Sequence, residues 1–167
     1  MPKVVSIAGK SESGKTTLIE KLVPILKSRG YRLGVIKHAH HGFEIDRKGK
    51  DSYRHKKAGA DAVLIVSPQR IAMIKDQEEP TSLDHVIKYL DDVDLVIAEG
   101  FKKEKLPKIE VFRKAAHAEP ACLGDENLIA FVTDSNFEVD VPTFKFDNVE
   151  GLSDFIEASF LHDHSKV

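Results

Sequence analysis

The chain has 167 residues, of which 41% are hydrophobic and 31% are charged, a balance typical of one compact globular domain. Its 25 Lys and Arg residues nearly cancel its 27 Asp and Glu residues, which argues against nucleic acid as the main partner. The single cysteine, Cys122, offers neither an internal disulfide nor a thiolate cluster for zinc or iron–sulfur.

No apolar run in the sequence approaches the roughly 20 residues that a membrane span needs. The first residues, 1–9, lead directly into a strand pattern, which is not typical of a signal peptide. We therefore expect a soluble, cytoplasmic protein that has no membrane partner.

Apolar runs alternate with amphipathic stretches along the chain, which predicts strands and helices in turn. Strands are predicted at Val4–Ala8, Leu33–Ile36, Ala62–Val66, Ile71–Ile74, Leu95–Ala98 and Leu128–Val132. Helices are predicted at Thr16–Arg29, Asp51–Ala58, Ser82–Leu90 and Ser153–Leu161. The alternation indicates an α/β fold of three layers, with a mainly parallel sheet covered on both faces and an added β-hairpin. We expect a single domain over residues 1–161 and a flexible tail over residues 162–167.

The most informative stretch fits the P-loop (Walker A) motif G-x-x-x-x-G-K-[ST] without a mismatch. It reads Gly9-Lys10-Ser11-Glu12-Ser13-Gly14-Lys15-Thr16, and Thr17 follows it. The motif lies between an apolar strand and an amphipathic helix, where backbone N–H groups and the helix N-terminus bind phosphate. Lys15 would reach the β- and γ-phosphates and the Thr16 hydroxyl would bind Mg²⁺, so residues 9–17 are the predicted nucleotide-binding loop.

A magnesium site of this kind also needs a carboxylate, usually at the end of a neighbouring strand. Glu99 directly follows the apolar run Leu95–Ala98 and is the predicted residue. Asp46, in the loop after the second strand, is another candidate, because a segment that senses phosphate would lie there. Asp51 competes with Asp46 for this role, and could equally cap a helix.

The choice of base is predicted less directly. Asp134 follows the strand Leu128–Val132, where a carboxylate could accept hydrogen bonds from N1–H and N2–H₂ of guanine. The lysine of the usual guanine signature is missing and its spacing is compressed. Asp134 therefore either recognises guanine or is an ordinary turn residue.

Three stretches of the chain carry a more specific pattern than the P-loop alone. They are Gly9–Thr17, the run from Gly34-Val35-Ile36-Lys37-His38 through Lys50-Asp51-Ser52 to Ala58-Gly59-Ala60, and Ile97-Ala98-Glu99-Gly100-Phe101-Lys102 with Pro107-Lys108-Ile109-Glu110. With these the chain resembles the molybdopterin-guanine dinucleotide biosynthesis protein B family, the MobB-type GTP-binding accessory proteins.

The resemblance implies a P-loop NTPase fold of the nitrogenase-iron-protein-like branch and a homodimer. It also implies GTP and Mg²⁺ as ligands, with slow hydrolysis of GTP at most. The implied role is an accessory one in molybdenum cofactor assembly, beside a partner protein that attaches GMP to molybdopterin. Lys10 occupies the position of a lysine that reaches across the dimer in related loops, but could also be a solvated loop residue.

Histidines and two basic segments are the remaining candidates for a second ligand or a partner. In the cluster of His38, His40 and His41, His38 and His40 could hold a metal, as in a nickel-delivery GTPase, or the cluster could belong to a loop that faces phosphate or pterin. The basic segments, residues 47–57 and 102–114, could focus an anion such as molybdopterin phosphate, could contact an acidic partner, or could be solvated surfaces. Within them, Lys50, Asp51 and Lys102 are the predicted contacts. A small-molecule P-loop kinase is a further alternative, although no arginine-bearing lid is evident.

The predicted hairpin between Ala62 and Ile74 offers a means of forming the implied dimer. Both of its strands are apolar, and an exposed apolar strand pair needs a cover. A second copy of the chain would provide that cover, although the hairpin could instead pack on its own domain.

Overall fold

A computed structural model gives the structure of the protein, and it describes residues 1–39 and 42–162. Two of the predicted site residues, His40 and His41, and residues 163–167 of the predicted tail lie outside the described residues. The chain divides into two compact units, one made of Met1–His38 and the chain from Ile87 onward, the other of Ala39–Val86. The single domain over residues 1–161 stays a prediction.

The helices and strands follow one another in the predicted order, with two additional strands. They are β1 (Lys3–Ala8), α1 (Lys15–Ser28), β2 (Leu33–Lys37), α2 (Asp51–Lys57), β3 (Ala62–Ser67), β4 (Arg70–Lys75), α3 (Leu83–Ile87), β5 (Leu95–Glu99), β6 (Lys108–Phe112), β7 (Leu128–Thr133), β8 (Thr143–Phe144) and α4 (Val149–Phe160). A short 3₁₀ turn, Lys88–Leu90, directly follows α3.

The first unit is built on a six-stranded parallel sheet with the order β2-β5-β1-β6-β7-β8. Strand β1 lies between β5 and β6, so that Ile7 pairs with Glu99 on one side and with Ile109 on the other. The chain leaves β1 toward β2 on the β5 side, and later crosses to β6 on the opposite side. Ligands of open α/β sheets bind at such a switch point, beyond the carboxyl ends of the strands. The predicted α/β fold with a mainly parallel sheet and an added hairpin is confirmed.

One hydrophobic core holds α1 and α4 against the central strands. It is formed by fully buried side chains such as Ile7, Leu22, Ile97 and Ile156. The exposed ends of the two helices are joined by Arg29, which forms ion pairs of 3.0, 2.7 and 2.6 Å with three acids of α4: Glu150, Asp154 and Glu157. These contacts hold the C-terminal end of α1 beside α4.

Strand β6 is absent from the sequence prediction because two charged residues interrupt its apolar pattern. Lys108 and Glu110 are each only 1% exposed. The Lys108 Nζ donates to the Glu104 carbonyl at 2.6 Å and pairs with Asp125 at 2.9 Å. The interpretation of Lys108 as part of a ligand-facing or solvated basic segment is therefore wrong, since its charge is used inside the fold.

The helix predicted at Ser153–Leu161 begins four residues earlier, at Val149. Its cap is Asn148, whose Oδ1 accepts a hydrogen bond of 3.2 Å from the Gly151 N–H. Gly151 lies in the first turn, and a glycine there weakens the helical pattern in the sequence. At the start of α3 the His85 N–H donates to Ser82 Oγ at 3.3 Å, so Ser82 caps this helix.

The second unit contains α2 and the antiparallel hairpin of β3 and β4. Its register pairs Leu64 with Met73 and Val66 with Ile71, up to the pair Ser67 and Arg70 next to the turn. Helix α2 contacts β3. Within the described ranges 1–39 and 42–162, no helix is long and apolar enough to cross a membrane.

Candidate functional site

The loop between β1 and α1 begins at a glycine whose backbone conformation and close neighbours leave no room for a side chain. Gly9 has φ 138°, a conformation that L side chains rarely adopt. A Cβ at this position would lie 2.4 Å from the Val111 carbonyl oxygen and 2.8 Å from Ser13 Oγ. The loop therefore runs tightly against the end of β6, beside the switch point of the sheet.

Two further left-handed residues shape the rest of this loop. Glu12 has φ 61° and Gly14 has φ 98°, and helix α1 starts where the Leu18 N–H donates to the Gly14 carbonyl at 3.0 Å. Left-handed residues that precede a helix N-terminus form backbone concavities suited to anions. The loop has the local conformation that the motif predicts.

Lys15, the first residue of α1, folds back over the loop. Its Nζ donates a hydrogen bond of 2.6 Å to the Lys10 carbonyl. Burial lowers the pKa of Lys15 below its ordinary value, the Glu99 carboxylate opposes that shift, and the charges of Lys102 and Lys37 add to it. Three cations thus act on the same small region.

The structure brings Thr16 and Glu99 together across the switch point. Thr16 Oγ1 donates to Glu99 Oε1 at 3.0 Å, and Glu99 as a whole is only 8% exposed to solvent. The Lys37 Nζ lies 3.7 Å from the same Oε1. A hydroxyl and a carboxylate oxygen at this spacing are hard ligands of the kind that Mg²⁺ takes, so the pair fits the predicted magnesium site.

The second candidate for the metal shell, Asp46, lies in the other unit. Its Oδ1 accepts hydrogen bonds from the Arg47 N–H at 2.7 Å and from Ser52 Oγ at 3.1 Å. Its competitor Asp51 is the first residue of α2, after Lys50, and its carboxylate lies 3.9 Å from Arg54. The roles of Asp46, Lys50 and Asp51 toward a ligand stay predictions.

Asp134 is exposed and follows the carboxyl end of β7. Its Oδ1 accepts a hydrogen bond of 3.2 Å from the Lys114 N–H. Asp134 is thereby tied to the segment after the neighbouring strand, β6. Guanine recognition by this carboxylate stays a prediction.

His38 and Lys102 follow the carboxyl ends of β2 and β5. The His38 N–H donates to the Glu99 carbonyl at 3.0 Å, and its ring lies 5.1 Å from the ring of Phe101. Lys102 is exposed beside them. Among residues 1–39 and 42–162, no three His, Cys, Asp or Glu side chains are grouped so as to hold a metal ion.

Three residues beside the loop are not among the individually predicted contacts, although one of them, Arg113, lies within the predicted basic segment 102–114. His117 Nε2 lies 2.6 Å from the Ser11 carbonyl oxygen, and the guanidinium of Arg113 lies 4.5 Å above the ring centre of Phe146. Arg113 and His117 follow the missed strand β6, and Phe146 follows the missed strand β8. A sequence prediction that included β6 and β8 would have placed the residues that follow these strands near the loop.

Known proteins resemble this chain over nearly its whole length. A protein from Haemophilus influenzae named molybdopterin-guanine dinucleotide biosynthesis adapter protein is 39% identical over 163 residues, which cover 96% of this chain and 91% of the relative. The Escherichia coli protein of the same name is 40% identical over 161 residues, 93% of this chain and 92% of the relative.

Solved structures agree with these relatives. A crystal structure of molybdopterin-guanine biosynthesis protein B is 35% identical, with a TM-score of 0.75 over 94% of this chain and 98% of that one. The structure of Bacillus subtilis MobB is 25% identical, with a TM-score of 0.79 over 96% and 99% of the two chains. The family model described as molybdopterin guanine dinucleotide synthesis protein B matches residues 4–134, and this chain belongs to that family, MobB.

Proposed function

We propose that this protein is an adapter in the synthesis of molybdopterin guanine dinucleotide and that it binds GTP with Mg²⁺ at the loop of residues 9–17. The names of its relatives supply the pathway. The observation that carries the nucleotide site is the 3.0 Å contact between Glu99 Oε1 and Thr16 Oγ1, at the last residue of a complete P-loop motif.

Each part of the loop has a role in this proposal. The backbone N–H groups of the loop bind the phosphates, and the Lys15 ammonium leaves the Lys10 carbonyl to reach the β- and γ-phosphates. Thr16 and Glu99 hold Mg²⁺, which neutralises charge between those two phosphates. The residues that would contact the nucleotide are Gly9, Lys10, Ser11, Glu12, Ser13, Gly14, Lys15, Thr16, Thr17 and, at the base, Asp134.

The charges around the loop favour a polyphosphate. Lys37 and Lys102 both lower the pKa of Lys15, which means that they lie close enough to repel its charge. A ligand with several negative charges would relieve this repulsion between the lysines. We infer that this repulsion contributes to affinity for a triphosphate.

Residues at the carboxyl ends of the strands would also contact a second ligand or a partner protein. His38 and Lys102 would contact molybdopterin or the protein that transfers GMP to it. Lys50 and Asp51 stay predicted contacts of a second ligand or partner. The protein would act as a homodimer through its hairpin.

Calorimetric titration of the full chain with GTP and with ATP, with and without Mg²⁺, tests the nucleotide site. We expect GTP to bind more tightly than ATP, and the Lys15→Ala variant to lose about tenfold or more in affinity, as charge-assisted contacts do. Lys21→Ala removes an exposed lysine from the same helix and should bind as the parent does. Equal binding by Lys15→Ala and the parent would refute the site.

A second experiment tests the adapter role. GMP transfer to molybdopterin by the purified transferring protein is measured with and without this protein, in the presence of GTP and Mg²⁺. We expect the parent to raise the yield or rate and Lys15→Ala to do so less. No effect of the parent on transfer, together with no complex between the two proteins, would refute the role.

A further inference from the structure

A half-buried guanidinium lies on an aromatic ring beside the loop of residues 9–17, within the basic segment 102–114. Arg113 directly follows β6, and its guanidinium carbon lies 4.5 Å from the ring centre of Phe146. Phe146, between β8 and α4, packs against the hydrophobic core. The ring is therefore fixed, and it supports the guanidinium from one side.

This pair touches the start of helix α1. A Cβ at Gly14 would lie 3.4 Å from Phe146 Cε1 and 3.5 Å from the Arg113 Nη2. These are ordinary to tight contact distances, so Arg113 and Phe146 border the turn where the loop enters the helix. Any ligand that emerges from the loop on this side passes the guanidinium.

The direction of the nucleotide follows from the metal pair, and this step rests on the proposed function. Thr16 and Glu99 would hold Mg²⁺ and with it the terminal phosphates, so the triphosphate end would lie on the β5 side of β1. The ribose and base must then extend the other way, toward the ends of β6, β7 and β8. Arg113 and Phe146 lie on that side.

Asp134 lies next to the same pair of side chains. Phe112 pairs with Thr133 in the sheet, so Arg113 and Asp134 are the next residues on two neighbouring strands. The hydrogen bond from the Lys114 N–H to Asp134 Oδ1 holds the two strand ends together. Recognition of a purine base needs a flat group on which the base stacks and a group that hydrogen-bonds to the edge of the base. The Arg113 guanidinium offers the first, and the Asp134 carboxylate offers the second as an acceptor.

We propose that the purine base of the nucleotide stacks on the guanidinium of Arg113, on the face opposite Phe146. Arg113 is then the residue that contacts the base, and Phe146 is a positioning residue that keeps the guanidinium flat and in place. Guanidinium planes and aromatic rings both stack on bases, and the stacking itself is tolerant of base identity. Guanine is selected over adenine by the hydrogen bonds that the Asp134 carboxylate accepts from the edge of the base.

The test compares two ligands in the full chain with Mg²⁺: GTP, and inorganic tripolyphosphate, which has no base. Arg113→Lys keeps the charge and removes the plane. We expect it to bind GTP about five- to tenfold more weakly than the parent does, with an unchanged affinity for tripolyphosphate. Phe146→Leu should show the same selective loss, and Phe146→Tyr, which restores an aromatic ring, should bind GTP as the parent does.

The outcomes separate this inference from the proposed function. If Arg113→Lys binds GTP as tightly as the parent does, or loses GTP and tripolyphosphate equally, the base does not stack on Arg113. If the parent binds neither ligand, the nucleotide site fails first and the inference fails with it. Should Phe146→Leu not fold, as judged by its melting temperature, Arg113→Lys decides alone.

Discussion

The ammonium of Lys15 and the backbone carbonyl of Lys10 are joined by a 2.6 Å hydrogen bond that closes the nucleotide loop on itself. This contact places a partly buried cation beside Lys37 and Lys102, and burial lowers its pKa. A protein without nucleotide therefore carries a cation whose charged form the fold disfavours. The charge of Lys15 therefore costs the folded protein some stability.

Replacing Lys15 by Met should therefore stabilise the protein in the absence of nucleotide. The folded pKa of Lys15 lies below its unfolded value of about 10.4, so the unfolded chain binds more protons between the two values. Below the folded pKa the charge costs stability, and the cost disappears as pH rises toward the unfolded value. We expect Lys15→Met to melt at a higher temperature than the parent at pH 7, with a smaller difference near pH 10. The control is Lys21→Met, and a lower melting temperature for Lys15→Met at pH 7 would contradict the argument.

Glu99 should act through the metal. Its Oε1 lies 3.0 Å from Thr16 Oγ1, and Glu99→Gln keeps the shape while it removes the charge that would attract Mg²⁺. We expect this variant to lose about tenfold or more in GTP affinity with Mg²⁺ present and much less in its absence. Titrations in both conditions measure this, with Glu20→Gln, an exposed acid of α1, as the control. Equal losses with and without Mg²⁺ would make Glu99 structural, and Asp46→Asn tests the second candidate in the same way.

The parts of the molecule that the sequence predicts depend on neighbouring residues, whereas the missed parts depend on contacts between residues that are separated along the chain. Lys15 and Thr16 were predictable because the motif, the strand before it and the helix after it are contiguous. Glu99 was predictable because an apolar run leads directly to it. Strand β6 was not, because the buried charges of Lys108 and Glu110 resemble a surface pattern until their partners are known.

The N–H groups that bind the buried Glu110 and the carboxylate that pairs with the buried Lys108 lie more than ten residues further along the chain. Glu110 accepts hydrogen bonds from the N–H groups of Ala121 and Cys122, and Lys108 pairs with Asp125. Burial, together with the nearby Glu110 and Asp125, raises the pKa of the Cys122 thiol to about 11. Without β6 in the prediction, the approach of residue 113 to the nucleotide loop could not be foreseen.

Asp125 should make the protein sensitive to acid. The Asn127 N–H, the Lys108 ammonium and the Asn127 amide lower the pKa of Asp125 to about 2, below its unfolded value of about 3.9. Its stabilising contribution is therefore fully present above about pH 4 and is lost as pH falls toward 2. Asp125→Asn leaves the buried Lys108 without its counter-charge, which should lower the free energy of unfolding by up to about 3–5 kcal/mol at pH 7.

Urea unfolding at pH 7 and at pH 3 measures this effect. The difference between Asp125→Asn and the parent should be smaller at pH 3, where the Asp125 carboxylate is partly protonated in the unfolded chain. Asp140→Asn, at an exposed acid, is the control. A difference that is the same at both pH values would mean that the ion pair with Lys108 contributes nothing.

Charges placed on the hairpin should separate a dimer. Leu64 with Met73 and Val66 with Ile71 are cross-strand pairs two residues apart, so all four side chains lie on one face. That face is apolar and open, with Ile71 68% and Met73 43% exposed. An uncovered apolar strand pair is an aggregation hazard, and a second copy of the chain is its simplest cover.

Sedimentation tests the dimer. We expect the parent to sediment as a dimer at micromolar concentration, and the double variant Ile71→Lys, Met73→Glu to sediment as a monomer that still binds GTP. Gln69→Glu, in the turn, should stay dimeric. A monomeric parent would refute the dimer, whereas a dimeric double variant would place the interface elsewhere.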